Sequence, residues 1–379
     1  MSDNLRRYRA IQQALVRLYP QTPTGHFLQS LNVLAMFING IVASKSTHTR
    51  EVAKKTPTDA KVTSREIQLI RWYKNAQVTY ARYMLPVIEP LLAGLADQTF
   101  TVVLDGSAMG RHCVTLMVSL VYQKRAIPLL WCVMEGNKGH FPADTHIALL
   151  QELQTLLPTG ASVVVLGDGE FDSVALQTFL SQEAHWDYVC RTAQSTQVCV
   201  DGVWQRLGDG DVWRGSCLPL YDVLFTEQAY GPVLVILWWE RQYAEPIYLV
   251  TNLDTLEEAC RWYRRRMRIE TFFSDQKTRG FHLDKSHIRD PQRLARLLIA
   301  ACLAYIWIIY LGRLCQVEGW QPRIHRTDRC DLSLFQLGLD LLDYFLNEGK
   351  PIPVDFRLLQ PPPSVKNLHA ELSNVFSVR

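Results

Sequence analysis

Tyr263, Arg266, Glu270 and Lys277 follow one another at intervals of three, four and seven residues. On a single helix from Cys260 to Gly280, turning about 100° per residue, their side chains share one arc of roughly 60°. Gly280 would supply the C-terminal stop. Trp262, Ile269 and Phe273 lie beside that arc and can anchor the helix to a core. One face then presents a carboxylate flanked by two cations and a phenol, which suits a phosphodiester. The alternative is an amphipathic helix with ordinary ion pairs, Arg266 with Glu270 among them. Two more acids tilt the choice. Asp105 closes the apolar run that starts at Phe100, and Asp168 follows the run Val163-Val164-Val165-Leu166-Gly167. Adjacent strand ends bring two carboxylates together, and close carboxylates repel unless a cation neutralises them. Mg2+ is bound through a few carboxylates plus water and phosphate oxygens. With Glu270 the set makes a two-metal site, one ion activating the attacking hydroxyl and the other stabilising the leaving oxygen. For either Asp alone, a strand-end turn residue is the commoner case.

The surrounding elements read as follows. Residues 1–95 are helical, with Phe27, Leu28, Leu31, Leu34, Phe37, Ile38 and Ile41 at helical spacing and a second helix opened by Thr63-Ser64-Arg65-Glu66. Strand-like runs then cover Phe100 to Asp105, Cys113 to Tyr122 and Ala126 to Met134, with Gln123-Lys124-Arg125 as the turn of a hairpin. A helix from Thr145 to Leu157, the strand ending at Asp168, a helix from Ser173 to about Gln182 and a strand from Asp187 to Arg191 complete a β-β-β-α-β-α-β order. Such an order predicts an α/β fold, a mixed sheet covered by helices. Residues 195–250, rich in Gly, Val and Trp, interrupt it as a β-rich insertion, and helices return from Leu256.

Composition narrows the function. The chain has 379 residues, 48% hydrophobic and 20% charged, enough for a sizeable core and too long for one ordinary domain. Its nine cysteines are odd in number and never form C-x-x-C, which predicts reduced thiols and neither a disulfide frame nor structural zinc. No phosphate-binding G-x4-G-K-[ST] occurs, so ATP is not implied. The N-terminus lacks the apolar core of a secretory signal, and the fifteen-residue run Leu297–Leu311 is short of the ~20 that a spanning helix needs. A cytoplasmic protein with no membrane contact is expected. Residues 1–84 carry thirteen Lys/Arg against four Asp/Glu, a net +9 on a chain of net +3. Charge of that kind points to nucleic acid, with a solvated basic face as the alternative.

The spacing Tyr263-x2-Arg266-x3-Glu270-x6-Lys277 resembles the Y-R-E-K signature of DDE transposases from bacterial insertion sequences. Val102-Val103-Leu104-Asp105 and Asp168-Gly169-Glu170-Phe171 are similar to that family's first and second Asp regions, and Gly40 to His48 to part of its N-terminal region. The resemblance spans residues 25–315. It implies a ribonuclease-H-like catalytic core interrupted by a β insertion before the Glu. The implied division is a helical DNA-binding region (1–95), the first part of the core (96–194), the insertion (195–252), the second part with the catalytic helix (253–315) and a tail of unassigned role (316–379). Asp105, Asp168 and Glu270 would be the catalytic and metal-binding triad for two Mg2+ ions, with Mn2+ as a substitute. Tyr263, Arg266 and Lys277 would contact DNA near the cleaved end. The implied reaction is cut-and-paste transposition through a hairpin end, by a homodimer on paired terminal inverted repeats that then engages target DNA, in a bacterial cytoplasm at the nucleoid. The family also implies a Trp from the insertion that stacks a flipped base. Trp238 and Trp239 point to opposite faces of a strand, so at most one is buried, and Trp204 and Trp213 stay as alternatives.

Two other functions compete. A DNA-binding relative that no longer cuts would keep the same basic N-terminus. A haloacid-dehalogenase-like phosphatase would explain Asp105-Gly106 and Asp168-Gly169, but its D-x-D motif needs an acid where this chain has Ser107. His140 and His146 flank Pro142-Ala143-Asp144 and read as loop and cap residues, and Asp172 as a supporting acid or a helix-start charge.

Overall fold

The computed structural model describes residues 1–136, 141–327 and 329–360. Six helices come first: α1 (Asp3–Arg17), α2 (Gly25–Ser44), α3 (Thr49–Lys54), α4 (Val62–Lys74), α5 (Tyr80–Tyr83) and α6 (Leu85–Ala93). The strands β1 (Phe100–Ala108), β2 (Cys113–Tyr122) and β3 (Arg125–Glu135) lead to α7 (Ala143–Leu156), β4 (Val163–Gly167), α8 (Val174–Thr178) and β5 (Asp187–Thr192). The insertion supplies β6 (Gln197–Val200), β7 (Val203–Arg206), β8 (Cys217–Phe225), β9 (Tyr230–Trp238) and β10 (Ile247–Thr251). The chain returns through α9 (Leu256–Tyr263), α10 (Arg268–Gln276), α11 (Pro291–Val317), α12 (Gln321–Ile324) and α13 (Leu334–Asn347).

All ten strands form one sheet, in the order β3-β2-β1-β4-β5-β10-β9-β8-β6-β7. β1, β4 and β5 run parallel, while β2 and β3 fold back antiparallel. This is the strand order and direction of a ribonuclease-H-like core. Its strands are Val- and Leu-rich runs because the central sheet is covered on both faces. The β-rich segment differs from the expected insertion in one respect. It is not a body of its own, because β10 pairs antiparallel with β5 and carries the ladder straight on into β9 and β8. Strand β7 escapes a reading by apolar runs, since Val203-Trp204-Gln205-Arg206 is exposed throughout, whereas β8 is apolar but for Asp222 and stays mostly half-buried.

Helix α11 is the hub of the helical layer, buried almost without a break from Leu297 to Cys315. It and α2 are long and apolar enough to cross a membrane, yet both are mostly buried within the fold, as core helices are. α13 packs closely on α11, since Gly312 faces the Leu334 carbonyl and Gly338 the Ile308 carbonyl, where a Cβ would overlap.

The N-terminal helices are built into this layer and are not an appended module. α2 is buried from Leu31 onward beside α11, and Arg6 donates to the carbonyls of Leu346 (2.8 Å), Phe345 (3.2 Å) and Lys350 (2.7 Å) at the end of α13. Several of the cations behind the +9 charge are therefore spent internally. Arg7 is buried and donates to Asn39 (2.9 Å), and Arg65 donates to the carbonyls of Ala53, Thr56, Thr58 and Ala60. α4 starts at Val62 without a side-chain cap, one residue before the expected Thr63 signal.

Candidate active site

Asp105 does not end its strand. β1 runs on to Ala108, paired with β2, so the carboxylate projects from within the ladder. The parallel register of β1 and β4 sets Val103 opposite Leu166, and continuing it brings Asp105 level with Asp168 just past the end of β4. The register of β5 sets Gly167 opposite Cys190, which brings Arg191 level with Asp168 in turn. Two acids and a cation thus sit side by side on adjacent parallel strands. Among the residues of the site Arg191 went unread in the sequence. The available signal was its position as the last charged residue of a buried strand.

The segment from Tyr263 to Lys277 is not one helix. α9 ends at Tyr263, residues 264–267 form a turn, and α10 starts at Arg268. The turn is held by short-range bonds, the Arg265 and Arg266 N–H groups donating to the Trp262 and Tyr263 carbonyls at 2.8 and 2.9 Å. The expected side chains still converge, by a bent path. Arg266 reaches Glu270 (3.2 Å) and Asp105 (3.9 Å), and its guanidinium lies 5.9 Å from the Tyr263 ring. Lys277, the residue after α10, donates to Ser107 Oγ at 2.5 Å, two positions beyond Asp105 on the same face of β1. Asp168 Oδ1 accepts from the Glu170 N–H at 3.0 Å. Asp168, Arg191, Gln194, Glu245, Tyr248 and Arg266 line a cleft of about 390 Å3.

The electrostatics are unbalanced. Burial, and then the charge of Asp168, push the Asp105 carboxyl up to about 7, against the opposing pull of Arg266 and the Gly106 N–H. Burial lowers the pKa of Arg266, but Tyr263, Asp105, Asp168 and Glu270 outweigh it and hold the guanidinium charged. Burial raises the Tyr263 phenol, with Arg266 and Arg191 working the other way. Burial also lowers the Lys277 ammonium, against Asp284 and Asp105. Arg266 Nε is a buried donor with no acceptor.

Oxygen donors that repel one another are the donor set a hard divalent cation prefers, and Asp105 with Asp168 fit it. Glu270 fits less directly. Its side chain is 49% exposed and turned to Arg266, and among the described residues no three His, Cys, Asp or Glu already converge as a metal cage.

Other expected residues fall elsewhere. Trp238 is buried, under the Arg264 guanidinium (4.8 Å) and edge-on to Tyr243 (5.6 Å), so it packs the sheet and offers no face to DNA. Trp239 is half-buried and donates from Nε1 to the Tyr243 carbonyl (3.2 Å). The open indoles are Trp213, 62% exposed, and Trp204, 44% exposed. His146 is buried against Phe171, 3.7 Å from Glu170, and burial pushes its pKa down to about 4. His140 lies outside the described residues. Asp172 accepts from Thr192 Oγ1 at 2.6 Å, tying α8 to β5.

A family model described as "Transposase DDE domain" matches residues 102–307. No curated protein matches the chain. Among solved structures, a piggyBac transposase synaptic complex with hairpin DNA is similar at 14% identity and a TM-score of 0.47, covering 99% of this chain and 85% of that one. Human ENDOV is similar at 13% identity and a TM-score of 0.25, covering 59% of this chain and 96% of that one. At such scores both are likenesses of outline. The family match spans more than half of the chain and includes both strand acids and the whole Tyr263–Lys277 segment, and on it this protein belongs to the DDE transposase family.

Proposed function

We propose that this transposase cuts and joins DNA at Asp105, Asp168 and Glu270, acting on the terminal inverted repeats of its insertion sequence. The observation that carries this is the pairing of Asp105 with Asp168 on adjacent parallel strands, ringed by Arg266, Arg191 and Lys277. Asp105 and Asp168 would hold Mg2+, or Mn2+ in its place, and Glu270 would complete the set by leaving Arg266. Two such ions supply an activated hydroxyl and a stabilised leaving oxygen when bound. Arg266 and Lys277 would then hold the non-bridging phosphate oxygens as charge-assisted donors. The Tyr263 phenol, kept protonated by burial, would donate to the same phosphodiester.

Cut-and-paste through a hairpin, a homodimer on paired ends, target DNA as second substrate and a bacterial cytoplasmic setting at the nucleoid complete the reading. For the base-stacking role the exposed Trp213 and Trp204 suit better than Trp238. The test is incubation with supercoiled plasmid carrying the element's ends in Mg2+. Nicks mapping to those ends, lost in Asp168→Ala, are expected, and no cleavage by the unaltered protein would reject the reading.

One observation favours a second reading, a DNA-binding relative that no longer cuts: Glu270 is paired to Arg266 and not turned to the two Asp. Specific binding of the ends without nicking in either Mg2+ or Mn2+ would establish it. A phosphatase gains nothing, since Ser107 at the critical position is engaged by Lys277.

A further inference from the structure

The turn between α9 and α10 sends neighbouring arginines in different directions. Arg266 reaches Asp105. Arg265 lies over the Trp262 ring at 4.3 Å, with Nη1 3.5 Å from Thr101 Oγ1. Thr101 precedes Asp105 by four residues, about 13 Å along β1 at ~3.3 Å per residue. Here Arg265 and Arg268 wall a cleft of about 360 Å3 together with Thr99, Gln123 and Gln360. A second cleft of about 440 Å3 adds Lys124 and is also lined by Gln123 and Arg268, so the two make one groove.

The charge in this groove is not balanced. Arg265, Arg268 and Lys124 have no carboxylate within ion-pairing distance among the described residues, and Arg261 adds like charge beside Arg265. Arg125 is committed to Asp275. The one acid lining the second cleft, Asp331, already faces His325 (2.9 Å), Arg326 (2.6 Å) and Arg329 (3.7 Å). Arg265 lines the first cleft, Lys124 the second and Arg268 both, so the cations follow one another along the groove. That spacing suits a polyanion and not a single small phosphate ester. Duplex DNA offers such a ligand, with a backbone charge every ~1.7 Å of helix axis.

We propose that this groove binds the sugar-phosphate backbone of duplex DNA through Arg265, Arg268 and Lys124, without reading sequence. It is a second DNA tract beside the carboxylate site, and it rests on the DNA-processing function proposed above. Contacts of this type position a duplex and steepen its salt dependence.

The test uses the full chain in EDTA, so that binding is read without cleavage, and a 30-base-pair duplex lacking terminal repeats. Fluorescence anisotropy between 50 and 300 mM KCl gives the affinity and its salt slope. The double variant Arg268→Gln with Lys124→Gln should flatten the slope by about two and weaken binding about tenfold or more at the lowest salt. Should that variant fail to fold by circular dichroism, Thr99→Lys on the exposed rim decides, with an expected steepening of about one. An unchanged slope in a folded double variant, or in Thr99→Lys, overturns the groove. Cleavage of element ends in Mg2+ is scored separately. Groove-dependent binding without cleavage leaves the groove standing and rejects the catalytic reading. Cleavage with unaltered slopes does the reverse.

Discussion

Two acids whose pKa burial raises, Asp275 on α10 and Asp105 on β1, are solved in different ways. Asp275 receives Arg125 Nη1 at 2.9 Å, with the Tyr305 hydroxyl beside it, and both partners of the pair are buried. Asp105 is also pushed up by burial, but its cation is no nearer than 3.9 Å and its next neighbour is another acid, Asp168. Burial raises both carboxyls, Asp275 to about 6 and Asp105 to about 7. A buried acid with a dedicated arginine fixes architecture. A buried acid facing a second acid in an open cleft carries a deficit that a ligand can fill.

That contrast can be broken by mutation. The largest effect is expected at the open acid. Asp105→Ala should lower the rate of end cleavage by about 10^3-fold or more, roughly 4 kcal/mol of barrier, while DNA-end binding survives. Quantified nicking of a labelled end would check it, and near-normal cleavage would mean that Asp105 is structural like Asp275. The closed acid should behave oppositely. Asp275→Ala leaves Arg125 buried without a counter-charge and should destabilise the fold by about 3–5 kcal/mol, read from urea melts. A loss of cleavage at unchanged stability would blur the distinction.

The smallest effect sharpens it through pH. The folded pKa of Asp105 lies above its ordinary 3.8, so its charge is a cost, absent below about pH 4 and complete above about pH 7. Asp105→Asn should therefore stabilise the metal-free protein by about 1–3 kcal/mol at pH 8 and by nothing at pH 4. Equal melting curves at pH 8 would show that Arg266 already compensates the charge. In the unaltered protein Mg2+ or Mn2+ should raise the melting temperature at pH 8, and that rise should vanish in Asp168→Ala.

Asp105, Asp168 and the Tyr263–Lys277 spacing were legible in the sequence because each is local: an acid at the end of an apolar run, or residues within about four helical turns. What stayed hidden depends on distance along the chain. Arg191 meets Asp168 only through strand register, and Arg125 meets Asp275 across 150 residues. The bend at 264–267 was missed because a periodic pattern can continue across a turn that tertiary packing imposes. The N-terminal charge misled in part, since net charge cannot tell an arginine that caps carbonyls, such as Arg6 or Arg65, from one that faces solvent.

The pairing of β10 with β5 has a consequence for anyone wishing to trim the molecule. Excising residues 195–252 would not release a smaller nuclease core. It would strip the partner from β5, whose Tyr188, Val189 and Cys190 are buried, and leave a raw strand edge with unpaired amides and carbonyls. Such an edge invites pairing with the next molecule, so the truncated chain should aggregate before its chemistry can be measured.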